Sequence, residues 1–107
     1  MTGSVLLVSE DQAVVRMIGE YLTASGNTVT AAHEGMDMVS YCLSEQCDVV
    51  LVESRTTYQD GLELLKAMRE AHTAAKLILM VPSGSDEEVE TYLSHGAFDE
   101  LIGREEI

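Results

Sequence analysis

An α/β fold, in which a parallel sheet of five strands carries helices on both faces, is what the sequence predicts, and three observations carry that expectation. Short apolar runs alternate with segments of helical periodicity along the chain, in the order βαβαβαβαβ. The connections between them are a few residues long, which favours right-handed crossovers and parallel strands. Two runs, DVVLV at 48–52 and LILMV at 77–81, are apolar on both faces, as strands buried between two layers of helices are.

The elements follow in order. Val5 to Val8 forms the first strand. From Asp11 to Ala24, Val14, Met17, Ile18, Tyr21 and Leu22 fall on one helical face. Ser9-Glu10-Asp11-Gln12 supplies capping chemistry at the start of that helix, and Ser25-Gly26-Asn27 closes it. Thr28 to Ala31 is a weaker second strand, and Gly35 to Leu43 reads as a helix with Met36, Val39 and Leu43 inward. Asp48 to Val52 is the third strand. Gly61 to Ala71 is a helix with Leu62, Leu65 and Met68 along one side, and Leu77 to Val81 is the fourth strand. Ser85-Asp86-Glu87-Glu88 opens a further helix carrying Val89, Tyr92 and Leu93, which Gly96 stops before a last strand at Phe98 to Ile102. With no repeat or linker, residues 1–107 read as a single domain.

Bulk properties exclude several function classes. A hydrophobic fraction of 46% suits a folded core. No apolar stretch approaches the ~20 residues that span a bilayer. The start, MTGSVLLVSEDQ, lacks the basic and apolar regions of a signal peptide, so a cytoplasmic location is expected. Cys42 and Cys47 lack zinc or redox-motif spacing and read as ordinary thiols. Nineteen acidic residues against six basic ones give a formal net charge of -13. That charge repels a phosphate backbone, so no direct nucleic-acid binding is expected. It suits solubility, a partner with a basic surface, or a salt-adapted source, the last requiring stability to climb steeply as salt screens the repulsion. There is no nucleophile-elbow motif and no P-loop, and no catalytic residue is assigned.

In a parallel sheet of this kind the functional crevice lies beyond the carboxyl ends of the strands. The residues there are Ser9, Glu10 and Asp11 after the first strand, Glu53 to Arg55 after the third, Pro82 and Ser83 after the fourth, and Gly103 and Arg104 after the fifth. Two acidic groups therefore converge from separate parts of the chain: Glu10 with Asp11, and Glu53.

Five passages, LLVSEDQAV, SGNTVTAAHEG, DVVLVE, DGLELL from Asp60 and GAFDELI, stand in an order and spacing that resembles the receiver domain of two-component response regulators. The resemblance implies a flavodoxin-like, doubly wound sheet in the order 2-1-3-4-5. It also implies a function: a typical receiver accepts a phosphoryl group from a histidine kinase on an aspartate ending the third strand. An acidic pair after the first strand helps hold Mg²⁺, a Thr or Ser after the fourth hydrogen-bonds the phosphoryl group, and a Lys after the fifth pairs with it.

Carried over by position, the match fails where that chemistry lives. The acceptor position is Glu53, the acidic pair falls on Ser9 and Glu10, the hydroxyl position is Val81 and the lysine position is Gly103. Arg104 stands where a proline usually follows the lysine, and Glu100 where the family has an aromatic switch residue. Phosphoryl transfer depends on positioning and on neutralising charge. Here the acceptor carboxylate reaches about one methylene too far, and a misplacement of ~1 Å can cost ~100-fold in rate before the absent lysine is counted. The sequence therefore points to a degenerate, phosphorylation-independent receiver acting as a protein-interaction module. The alternative is a phosphorelay receiver with Glu53 as an unorthodox acceptor. Glu53 as a built-in mimic of phosphoaspartate is less favoured, because the residues that read the phosphate are the missing ones.

No resident cofactor is expected. Clustered oxygens of Glu10, Asp11 and Glu53 allow weak Mg²⁺ or Ca²⁺ binding, and the competing role is that Ser9 or Asp11 caps the first helix. His33, His72 and His95 form no ligand spacing and read as surface residues, and the methionines follow core faces. A usual receiver finishes with a fifth helix. This sequence ends at Gly103-Arg104-Glu105-Glu106-Ile107, too short for one, so apolar sheet and first-helix surface is expected to lie bare and to find a partner, by homodimerisation or by docking another chain's helix. By analogy with receivers, the interaction surface is expected over Glu87, Glu88, Tyr92, His95, Asp99 and Glu100, where acidic side chains suit a basic partner.

Overall fold

Strand pairing organises the molecule. The computed structural model describes residues 3–33, 36–53, 61–71, 74–81 and 99–103. Its strands are β1 (Ser4–Val8), β2 (Thr28–Ala31), β3 (Val49–Glu53), β4 (Lys76–Val81) and β5 (Glu100–Gly103); its helices are α1 (Gln12–Ala24), α2 (Met38–Glu45) and α3 (Gly61–Glu70). All ladders are parallel, in the order β2-β1-β3-β4-β5. The helix expected from Ser85 lies outside the described residues. Among the described residues no helix is long and apolar enough to cross a membrane.

Alternation along the strands sorts side chains between two cores. On one face Leu6, Val8, Val50, Val52, Leu77 and Leu79 meet Met38 and Cys42 of α2 and Leu64, Leu65 and Met68 of α3. On the other, Val5, Leu7, Leu51 and Met80 meet Val14 and Ile18 of α1. Both-face apolarity in β3 and β4 thus has the expected cause. Each fully buried Leu or Val contributes about 1.5–3 kcal/mol, and these strands are held from both sides.

Two helical faces differ from the sequence reading. On α1, Val14 and Ile18 are buried, but Met17 and Tyr21 are 54% and 61% exposed. A helix resting on a sheet buries the i, i+4 stripe at its contact line, and the flanking apolar positions stay outside. On α2 the phase shifts: Asp37, with φ −82° and ψ 92°, accepts from Ser40 N–H at 3.1 Å and starts the helix at Met38 rather than at Gly35. Met38 and Cys42 then face inward, Val39 and Met36 pack at the core's margin, and Leu43 is 48% exposed.

Helix ends follow local chemistry. Gly26, at φ 93°, takes the chain out of α1 in the left-handed region, and Asn27 N–H donates to the Leu22 carbonyl at 3.0 Å. β5 begins at Glu100 rather than Phe98. Asp99 ties the chain just before the strand, its N–H donating to the Leu77 carbonyl at 2.7 Å and its carboxylate accepting from Leu77 N–H at 2.8 Å.

Candidate functional site

Sheet register sets the strand ends into tiers. Val8 pairs with Val52 and Glu53 with Met80, so Ser9, Glu53 and Met80 stand level at the carboxyl edge. Val81 and Gly103, paired with each other, form the next tier out. The winding reverses between β1 and β3, because β2 lies outside β1 while β3 to β5 extend the other way. Open sheets of this kind form their crevice at such a point. Ser9, Glu10, Asp11, Glu53, Val81 and Gly103, separate in sequence, thus share one edge.

Each described side chain there has a local reason for its place. Ser9 is 1% exposed, and its Oγ accepts from Asp11 N–H at 3.2 Å, which turns the chain from β1 towards α1. Asp11, with φ −80° and ψ 106°, is the N-cap: its Oδ1 accepts from Ala13 N–H at 3.0 Å and Val14 N–H at 3.3 Å. Glu10 is exposed, and Glu53 is half-buried as the last residue of β3. Alternation places Glu53 on the α1 side, with Leu51. Asp11 performs the capping role weighed for it through Oδ1.

That role bears on metal chemistry. Among the described residues no group of three or more His, Cys, Asp or Glu side chains could hold a metal ion. Glu10, Asp11 and Glu53 are not gathered into such a group, and Asp11 directs an oxygen to helix amides instead.

Of the expected interaction surface, Glu87, Glu88, Tyr92 and His95 lie outside the described residues, as do His72, Pro82, Ser83 and Arg104. Glu100 is paired in β5 opposite Ile78. Asp99 serves the fold: besides Leu77 N–H it accepts from Arg69 Nη2 at 3.3 Å, joining β5 to α3. The Leu77 amide, ahead of the Arg69 contact, holds the Asp99 carboxyl below its ordinary value of 3.8. His33 is exposed. Along α1, Ala13, Arg16, Met17, Glu20 and Tyr21 line an open surface hollow of about 530 Å³, an apolar strip rimmed by charge. Sequence reasoning missed Asp99's two partners, because they sit 22 and 30 residues away. It also missed the Asp37–Ser40 cap, for which Asp-x-x-Ser was a legible signal.

The comparisons with known proteins decide the family. A model described as the response regulator receiver domain matches residues 5–103. The chain belongs to the response regulator receiver domain family. Among curated relatives, the DNA-binding transcriptional regulator NtrC of Proteus hauseri is 33% identical over 100 residues, covering 92% of this chain and 21% of that protein. The receiver therefore spans about one fifth of the relatives it matches. Among solved structures, the receiver domain of Francisella response regulator 1452 aligns with a TM-score of 0.77 at 24% identity, covering 94% of this chain and 83% of that one. A putative response regulator from Chloroflexus aurantiacus aligns with a TM-score of 0.84 at 17% identity, covering 96% and 85%. At those identities the structures speak for the fold, and the sheet order matches the expected 2-1-3-4-5.

Proposed function

We propose that this receiver has lost ordinary phosphoryl acceptance and works as a phosphorylation-independent protein-interaction module in signal transduction or transcriptional control. One observation carries the proposal: the tiers at the carboxyl edge hold Ser9, Glu53, Val81 and Gly103 where the family's chemistry calls for a carboxylate, an aspartate, a hydroxyl and a lysine. Charge that develops over the phosphoryl oxygens would find no cation at Gly103 and no hydroxyl donor at Val81. Glu53 also begins its reach one methylene longer than an aspartate.

The transcriptional setting is proposed from the relatives, which are DNA-binding transcriptional regulators. The partner proposed is a protein with a basic surface, favoured by the net charge of -13, which steers oppositely charged surfaces together. Self-association is the second mode. Sedimentation velocity giving a clean monomer at high concentration removes it.

Incubation with phosphoramidate or acetyl phosphate and Mg²⁺, followed by intact-mass measurement, tests the central statement. No phosphoryl adduct is expected. A stoichiometric adduct on Glu53 favours the rival reading, a receiver with an unorthodox acceptor.

A further inference from the structure

The chain's two cysteines are free thiols, Cys42 being 2% and Cys47 7% exposed. Cys42 lies in the last turns of α2, and the chain leaves that helix through Gln46 at φ 52° and ψ 53°. This left-handed residue folds the backbone over so that Cys47 N–H donates to the Cys42 carbonyl at 3.3 Å. A disulfide bridges α-carbons about 4.4–6.8 Å apart, and this hydrogen bond folds the backbone of Cys47 back onto the helix end that carries Cys42. Both side chains are buried at this one bend of the chain. Both line one open hollow of about 460 Å³, together with Gln46, Ala74 and Ala75. Nothing in the receiver's phosphoryl chemistry uses this place, which lies at the amino end of β3, opposite the edge that carries Glu53.

We infer that Cys42 and Cys47 form a reversible dithiol–disulfide site that reacts with low-molecular-weight disulfides admitted through this hollow. One thiol loses its proton to solvent and attacks a sulfur of the small disulfide RSSR. The S–S bond breaks, and the departing RS⁻ takes a proton from solvent. The second thiol attacks the protein sulfur of the mixed disulfide and releases the other RSH. The two protein sulfurs are oxidised by two electrons, RSSR is reduced to two RSH, and no net proton is exchanged.

Burial tunes the rate. Desolvation pushes the Cys42 thiol up, and desolvation with the neighbouring Cys42 and Asp48 pushes Cys47 up to about 11. Thiolate is scarce at neutral pH, so the exchange is slow there and accelerates in alkali. The bridge would tie the end of α2 to the residues leading into β3.

Folded wild-type chain is incubated with oxidised glutathione at pH 7 and pH 9, without denaturant. The expected product is about 2 Da lighter than the reduced chain, maps to a Cys42–Cys47 peptide and forms faster at pH 9. It returns to the dithiol with dithiothreitol, and it melts about 5 °C or more higher because a short loop is closed. Cys42→Ser and Cys47→Ser are expected to stop at a glutathione adduct or not to react. A stable glutathione adduct on wild type, an intermolecular disulfide as the main product, or a bridge that forms only in denaturant overturns the inference.

Discussion

Asp11→Ala removes the acceptor that starts α1, and its cost can be worked from two hydrogen bonds. Oδ1 accepts from Ala13 N–H at 3.0 Å and Val14 N–H at 3.3 Å, and no acidic residue stands in the helix's first turn to replace it. Losing an N-cap costs about 0.5–2 kcal/mol, and the attraction between a carboxylate and the helix dipole adds about 0.3–1 kcal/mol. One bond is long and the freed amides can turn to water, so a total of about 1.5 kcal/mol is expected. In a domain of this size each ~1 kcal/mol moves Tm by about 4–8 °C, so the variant should melt about 6–12 °C lower. Asp11→Asn keeps an acceptor and loses only the charge, at about 0.5 kcal/mol. Urea unfolding followed by far-UV circular dichroism measures both. If Asp11→Ala is neutral, or Asp11→Asn is as damaging as Asp11→Ala, the carboxylate is not acting as the cap.

Three further outcomes follow from other places in the fold. Gln46→Gly should stabilise the chain by about 0.5–1 kcal/mol in the same assay, because glycine adopts the φ 52° conformation without the side-chain penalty. Leu65→Ala, at a side chain 0% exposed beneath α3, should cost about 2–5 kcal/mol, and a loss under 1 kcal/mol would show the α3 face to be loosely packed. Asp99 sets a pH dependence. Its carboxyl is depressed in the folded state by the Leu77 amide and Arg69, so its stabilisation is complete above the ordinary value of 3.8 and fades as pH falls through the lower folded value. The stability gap between wild type and Asp99→Asn should therefore be constant near neutrality and shrink below about pH 4.

Much of the fold is legible because β3 and β4 carry their burial in their composition. VVLV at 49–52 and LILMV are apolar at consecutive positions, as a strand packed on both faces requires. The α2 phase is harder to read, since Met36, Met38, Val39, Cys42 and Leu43 offer more apolar positions than one face can bury. Asp37, through its bond to Ser40, chooses among them. Met17 and Tyr21 show the same ambiguity on α1, where the sheet contacts only a stripe. The candidate site was legible by position, because strand ends in a parallel sheet must gather at one edge. The use of its carboxylates was not, because whether Asp11 serves a helix or a cation depends on where Oδ1 turns. The approach of the two cysteines was hidden for a related reason: Cys47 folds back onto Cys42 through Gln46, whose left-handed backbone nothing in a Ser-Glu-Gln-Cys run announces.

The measurement closest to the central claim is phosphoramidate labelling with Mg²⁺, read by intact mass, of wild type, Glu53→Asp and a variant restoring all four positions, Ser9→Asp with Glu53→Asp, Val81→Thr and Gly103→Lys. No adduct is expected on wild type, at most a trace on Glu53→Asp, where cation and hydroxyl are still absent, and a full adduct on the restored chain once circular dichroism shows it folded. A stoichiometric adduct on wild-type Glu53 would contradict the loss of phosphoryl acceptance, because the pocket would then accept phosphoryl groups without a cation at Gly103 or a hydroxyl at Val81.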